Sequence, residues 1–336
     1  MAADELLVCP ICRSFDQAAR TVRVAPLERR PDDGAWACTN APACGFVFPE
    51  VEGIPVILKP GTAFKASLRF LPEARPLALA RLLALLGPED PLAARARGVG
   101  SYTVAHLGDW SPDPEIALAA RPNAYSTLAA TLAERGAVSG RTIVLGAGPG
   151  RLAYELQPFC EEVLALDVAL DMLLPGRRAM AGAAPAAIVC ATDSLEWRAV
   201  PVAAPDPARA DRIRFVCGDA LDPPVRALVF DTVVAANVVD SIFDPSLLIG
   251  QVDAILRPGG RAVIVSPYVW KAETTPPGSW LRGGAQQALA LLETYGRATT
   301  PYESAEWLPE MEWALRVDAN HAVRYRLQGF VARKSA

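Results

Sequence analysis

Arg141-Thr-Ile-Val-Leu145 is a short run of apolar and β-branched residues, and Gly146-Ala-Gly-Pro-Gly150 follows it without a break. Leu152 and Leu156, one helical turn apart, come next. A buried strand, a glycine turn and a helix in this order leave bare backbone and a helix N-terminus free to meet a ligand. Such a loop serves several cofactors. The dinucleotide fingerprint would place a third glycine at position 151, where this chain has Arg151. The strands that follow narrow the choice. Val163-Leu-Ala-Leu-Asp167 ends a second strand in an acid about twenty residues on, where a carboxylate can accept both hydroxyls of a ribose. Ile213 to Ala220 ends a third strand in Gly-Asp219-Ala220. Asp231 to Asn237 is a fourth, ending in a polar residue, and Arg261 to Val265 is a fifth, entered through Arg-Pro-Gly-Gly260.

Strands alternating with helices predict a doubly wound, mostly parallel α/β sheet. The full series resembles the class I S-adenosylmethionine-dependent methyltransferases, whose sheet has seven strands. Glu312 to Val317 and Ala322 to Ala332 fit the antiparallel hairpin that closes that fold. The resemblance implies that Gly146, Ala147, Gly148 and Gly150 form the cofactor loop and that Asp167 holds the ribose. It further implies that Asp219 and Ala220 meet the adenine, and that Asn237 borders the methionine part. A cofactor-free scaffold is the competing reading.

The first sixty residues make a different unit. Cys9-Pro-Ile-Cys12 and Cys38 with Cys44 are two thiol pairs separated by a strand-like segment, Thr21 to Leu27. Four thiolates satisfy a tetrahedral zinc, which can supply about 10–16 kcal/mol of apparent folding energy to a segment too short for a core of its own. The second pair is spaced more widely than the usual two to four residues. Phe46 to Leu58, ending Gly-Ile-Pro-Val-Ile-Leu, is similar to the close of a short zinc-ribbon family. That family occurs alone in bacteria and as an activator subunit of tRNA and protein methyltransferases. Residues 1–60 hold six Lys/Arg against eight Asp/Glu, a balance poor for gripping phosphates.

The chain thus reads as a zinc-ribbon domain (1–60), a helical connector or lid (61–138) and a catalytic domain (139–336) within its 336 residues. In the connector, apolar residues at helical spacing from Phe64 to Arg97, interrupted by Pro72 and Pro76, predict two helices. Pro114 to Glu134 predicts another. Ser101 to Trp110 between them is polar and aromatic, which predicts a loop, either a packed linker or a lid over the site. The net charge of −4 gives no global field for nucleic acid or anionic membrane. The stretch Leu77 to Leu86 is too short to span a bilayer. Seven cysteines, an odd number, and no export signal point to a reducing, cytoplasmic setting. Oligomeric state is not legible.

Residues 228–284 carry a closer likeness. Ala235-Ala-Asn-Val-Val-Asp-Ser-Ile-Phe-Asp-Pro245, Ser266-Pro-Tyr-Val-Trp270 and Thr275 to Gly284 resemble runs of mercaptohistidine N-methyltransferase domains from ovothiol biosynthesis. The block Ile188 to Val202 is similar to an extra hairpin of that group. Arg282 before the glycine pair and the amino-terminal cysteines depart from the pattern. The resemblance implies methyl transfer to a small acceptor bearing an imidazole or amine. Asn237, Asp240 and Tyr268 are the candidate catalytic residues: Asn237 to orient the acceptor, Asp240 to bind a ring nitrogen or merely cap the next helix, and Tyr268 to hydrogen-bond the acceptor or merely pack. Trp270 and Trp280 are expected to wall the pocket. His106 and His321 read as structural rather than basic groups. Two other classes stay open: an RNA or protein methyltransferase that docks its substrate on the zinc domain, and a non-catalytic zinc- and cofactor-binding module.

Overall fold

The computed structural model describes residues 6–16, 21–60, 83, 90–182, 186–193 and 196–336. Short strands open the chain. β1 (Ser14–Asp16) pairs with β2 (Thr21–Arg23), and β3 (Leu27–Arg29), β4 (Trp36–Cys38) and β5 (Val47–Phe48) form a second small antiparallel sheet. β6 (Glu50–Val51) then turns through Glu52-Gly53, both left-handed, into β7 (Ile54–Ile57). The two helices expected between Phe64 and Arg97 fall largely on residues 61–82 and 84–89, outside the described residues.

Three helices follow, each opened by a side-chain cap: α1 (Pro91–Leu107) by Asp90, α2 (Pro114–Ala119) by Asp113 and α3 (Ala124–Glu134) by Asn123. Two sequence expectations are corrected here. Ser101 to Leu107 is the last part of α1 and not a loop, and the expected helix from Pro114 to Glu134 is two. The polarity that suggested a loop is absorbed within the helix. The hydroxyls of Ser101 and Thr103 donate to the carbonyls four residues back, at 2.8 and 2.6 Å.

The carboxyl-terminal half alternates as expected: β8 (Arg141–Leu145), α4 (Arg151–Leu156), β9 (Glu162–Asp167), α5 (Leu170–Met180), β10 (Ala187–Ala191), β11 (Trp197–Pro201), β12 (Ile213–Gly218), β13 (Phe230–Ala236), α6 (Pro245–Ile255), β14 (Leu256–Ser266), α7 (Gly284–Ala298), β15 (Tyr302–Trp307), β16 (Met311–Arg316) and β17 (Ala322–Lys334). Seven strands lie in the order β12-β9-β8-β13-β14-β17-β15, parallel except at β17, which runs antiparallel to both its neighbours. β10 and β11 form the extra hairpin as a separate pair. The expected closing hairpin of residues 312–317 and 322–332 forms, with one strand more. β15, unassigned from sequence, pairs the carboxyl half of β17, while β16 pairs its amino half, Trp313 opposite Tyr325.

The sheet does not stop at β12. β7 adds to it in parallel, Val56 beside Cys217 and Ile57 beside Gly218, and β6 follows β7. The amino-terminal unit also shares a core with the sheet. Strand side chains alternate between faces. Val144, Ala165, Val234 and Val263 pack on one side with Leu128 and Leu132 of α3. Ile143, Leu164, Val233 and Ile264 pack on the other with Leu248 and Val252 of α6, Leu292 of α7, and Leu7, Leu27, Trp36 and Phe48. Residues 50–57, inside the expected first domain, therefore belong to the central sheet. At the far edge, the fully buried Lys334 ammonium lies 2.9 Å from Asp253, which also accepts from the hydroxyls of Thr299 and Tyr302. No helix among the described residues is long and apolar enough to cross a membrane.

Candidate functional site

The parallel strands present their carboxyl ends on one edge, and the glycine turn after β8 lies there. A Cβ on Gly146, at φ +68°, would stand 2.6 Å from Val238, and one on Gly150, at φ +83°, 2.6 Å from the Phe215 ring. Only glycine meets both demands, a left-handed backbone and no side-chain room. Asp167 at the end of β9 closes the turn. Its two oxygens accept from the amides of Gly148 and Ala169, each at 2.8 Å. Burial raises its carboxyl above the usual range, and these two amides oppose the rise. Asp219 shapes the turn after β12 by accepting from the Leu221 amide at 2.8 Å.

A cavity of about 410 Å³ joins these elements. Of the residues singled out from sequence, Gly146, Gly148, Asp167, Asp219, Ala220, Asn237 and Asp240 line it. Ala147 and Gly150 do not. Ala147 is buried, its amide donating to the Leu166 carbonyl, and Gly150 makes room for Phe215. Both shape the turn from behind.

Asn237 follows β13 at φ 56°, a left-handed position that asparagine tolerates better than most residues. Its Nδ2 donates to the Tyr125 hydroxyl at 3.3 Å, while its buried Oδ1 has no partner among the described residues. Asp240 does not cap α6, which Asp244 does. It accepts from the Ser266 hydroxyl at 2.8 Å and the Val269 amide at 2.7 Å, pinning the turn after β14. Burial raises its carboxyl too.

Tyr268, Trp270 and Trp280 are displaced from the expected wall. None of them lines the cavity. The two indoles stack on each other at 6.4 Å and 14°, and the Trp280 ring N–H donates to the Thr275 carbonyl. Tyr268, at φ 55°, is turned into the protein, its buried hydroxyl without a partner among the described residues. A strand ending in Ser266 exposes alternate residues to the edge, and here Pro267 and Val269 face the cavity instead.

The aromatic wall is built from elsewhere. Tyr102 and His106 stand one turn apart on α1, Tyr125 opens α3, and Trp313 and Tyr325 are cross-strand neighbours on β16 and β17. All five line the cavity. Ring centroids lie 5.6 Å apart for Tyr102–Trp313, 6.5 Å for Tyr125–Trp313, 5.3 Å for Trp313–Tyr325 and 4.0 Å for His106–Tyr125. His106 rests against the glycine turn, 3.4 Å from where a Gly148 Cβ would be. Burial pushes its pKa down to about 3, with the Arg151 guanidinium adding to the effect, so the ring is neutral at pH 7. Its Nδ1 has no partner among the described residues, unlike the satisfied structural histidine expected. His321 is exposed and lies outside the cavity. Tyr125, Trp313 and Tyr325 were missed from sequence, whereas Tyr102 and His106 fall in the segment read as a packed linker or a lid over the site. The i, i+4 pair Tyr102/His106 was the one available signal, and it needed α1 to be read as a helix.

Arg151, which replaces the third glycine of a dinucleotide loop, couples the connector to the turn. Its buried guanidinium donates to Asp109, Glu155, Ser126 and the His106 carbonyl, and lies 4.5 Å over the Trp110 ring.

At the opposite side of the sheet edge, the sulfurs of Cys9, Cys12, Cys38 and Cys44 all lie within 4.8 Å of one another, with Cys12 and Cys38 at 3.5 Å and Cys9 and Cys44 at 3.9 Å. A tetrahedron with Zn–S bonds of about 2.3 Å sets its sulfurs about 3.8 Å apart, so the cluster fits zinc. The cluster abuts the turn that holds Asp219. The Val8 amide donates to the Pro224 carbonyl at 3.0 Å, Arg13 donates to Asp222 and the Pro223 carbonyl, and Lys59 lies 2.6 Å from Asp222.

Several solved structures are similar to this chain. The N-methyltransferase NodS from Bradyrhizobium japonicum, in complex with S-adenosylhomocysteine, is 16% identical, with 72% of this chain and 99% of that one covered and a TM-score of 0.41. A phosphoethanolamine N-methyltransferase of Haemonchus contortus is 14% identical over 74% of this chain and 60% of its own, with a TM-score of 0.47. The YcgJ protein of Bacillus subtilis is 11% identical over 62% and 99%, with a TM-score of 0.41. No curated protein sequence matches the chain. Residues 143–264, from β8 to β14, match the family described as a methyltransferase domain, and the chain therefore carries a class I S-adenosylmethionine-dependent methyltransferase domain.

Proposed function

We propose that this chain transfers a methyl group from S-adenosylmethionine to a nitrogen of a small molecule bearing an imidazole or amine, and that its amino-terminal cysteines hold a structural zinc. The observation that carries the reading is the single cavity in which the glycine turn, Asp167 and Asp219 meet a set of aromatic rings across Asn237. Its volume suits ligands of metabolite size.

The residues present fit the cofactor. The turn is free of side chains where the backbone must approach, Asp167 keeps lone pairs for ribose hydroxyls beyond its two amide bonds, and Asp219 and Ala220 line the same cavity and are suited to meet the adenine. When bound, S-adenosylmethionine supplies a methyl group to the acceptor nitrogen, whose lone pair forms the new bond while the C–S electrons leave with sulfur. Asn237 is suited to orient the acceptor, because its Nδ2 is committed to Tyr125 and its Oδ1 is free. Neutral His106 keeps a lone pair without adding charge. Alignment of donor and acceptor contributes most to such a displacement.

The test uses purified protein and S-adenosylmethionine labelled in its methyl group. Label is expected to pass to small imidazoles or amines and not to bulk RNA. Asn237→Ala is expected to lower turnover at least tenfold while S-adenosylhomocysteine affinity changes less than threefold. Strong transfer to RNA that is indifferent to Asn237 would favour a macromolecular substrate docked on the zinc unit.

A further inference from the structure

We propose that the ring-lined end of the cavity is a binding site for an N-methylated ammonium cation, which makes the acceptor an amine that can carry several methyl groups. The proposal rests on the methyl-transfer reading of the same cavity. Tyr102, Tyr125, Trp313 and Tyr325 come from four separate elements and are tilted against one another at 32° to 74°, so they form the corner of a box and not a flat stack. Ring faces carry the negative lobe of the aromatic quadrupole, and several faces around one point attract a cation without taking a proton from it.

The charges around the cavity agree. Four carboxylates line it, those of Asp167, Asp171, Asp219 and Asp240, against two cations, Arg95 and Lys271. Arg95 is spent on Asp171, which it grips at 2.7 and 2.9 Å. Lys271 is exposed. His106 is neutral at pH 7. The end of the cavity is thus negative, and each oxygen of Asp240 already accepts one hydrogen bond. A primary ammonium, with three N–H donors, would need several acceptors there. A methylated one needs few, and among the described residues that line the cavity the buried polar atoms without a partner are Asn237 Oδ1, His106 Nδ1 and the Trp313 ring nitrogen.

The chemistry follows. When a neutral amine takes the methyl group, one C–N bond forms, one C–S bond breaks, and the positive charge passes from sulfur to nitrogen. A nitrogen that carried a proton then releases it to water and can react again, until no proton is left. Rings that hold the charge at nitrogen favour the product side of each transfer.

The experiment compares choline with 3,3-dimethyl-1-butanol, which has the same shape with carbon in place of the charged nitrogen. Binding of each to the full zinc-loaded chain is measured by calorimetry, with and without S-adenosylhomocysteine. Choline is expected to bind at least tenfold more tightly than the neutral isostere. Trp313→Leu should abolish that preference, and Trp313→Phe, which keeps a ring, should retain most of it, with S-adenosylhomocysteine affinity within threefold in both. Equal binding of the two probes, or no choline binding, overturns the proposal. Failure of the wild-type chain to bind S-adenosylhomocysteine would instead overturn the methyl-transfer reading, and the choline preference would still be read in its absence.

Discussion

His106 joins several threads at the scale of one side chain. It sits in α1, fully enclosed, with a ring between the glycine turn and Tyr125 and a pKa held near 3 by burial and by Arg151. In the unfolded chain the same imidazole takes up a proton near pH 6.5. Between about pH 6.5 and 3 the unfolded state therefore binds more protons, and stability falls as pH falls through that window, by at most about 1.4 kcal/mol per unit. His106→Phe removes this term. Urea unfolding at pH 7 and pH 4.5 is expected to show the wild type losing about 2 kcal/mol more than the variant. Equal losses would mean that the imidazole protonates in place. At this scale the sequence was legible wherever a residue ends a strand. Asp167, Asp219 and Asn237 lie on the cavity because a parallel sheet brings its carboxyl ends to one edge. Tyr102 and Trp313 were not legible, since they are 211 positions apart in the chain and meet only when the last hairpin folds over α1.

Among elements, the turn after β12 carries the most consequence. It holds Asp219 and Ala220 on the cavity side and is clamped on the other side by the cysteine cluster, through Val8, Arg13 and Lys59. Arg13 directly follows Cys12 and reaches the Pro223 carbonyl at 2.6 Å. Arg13→Ala is expected to weaken S-adenosylhomocysteine binding about 3- to 10-fold, one charge-assisted bond being worth roughly 1.5–3 kcal/mol before the turn relaxes. Zinc content should remain one per chain. Unchanged affinity would show that the turn keeps its shape unaided. The cysteine pairs were read from sequence as a metal site, but this contact was not, because nothing in residues 9–13 marks Asp222 as a partner. The opposite failure occurred at Ser101 to Trp110. Its polar residues suggested a loop, and the helix that forms there satisfies its hydroxyls on its own backbone.

At the scale of the molecule, the alternation of strands and helices fixed the doubly wound class in advance, since buried parallel strands can be written only as short apolar runs between amphipathic helices. The division into a first domain ending at residue 60 was less well founded. Zinc spacing marks where a cluster forms and not where the chain stops contributing to a sheet, and residues 50–57 went on into it. That continuation bears on solubility. A sheet ending at β12 would leave the backbone of Ile-Arg-Phe-Val-Cys-Gly on its rim, with one charge among six residues. A row of free N–H and C=O groups of that kind recruits a second chain. β7 covers its carboxyl end, and the rim passes to β6, two residues long and led by Glu50, too short to template a neighbour. A chain beginning after residue 60 is therefore expected to self-associate at micromolar concentration, in sedimentation runs where the full chain keeps one size. The amino-terminal unit would then be, whatever else it does, the hem that keeps the sheet from being sewn to its copies.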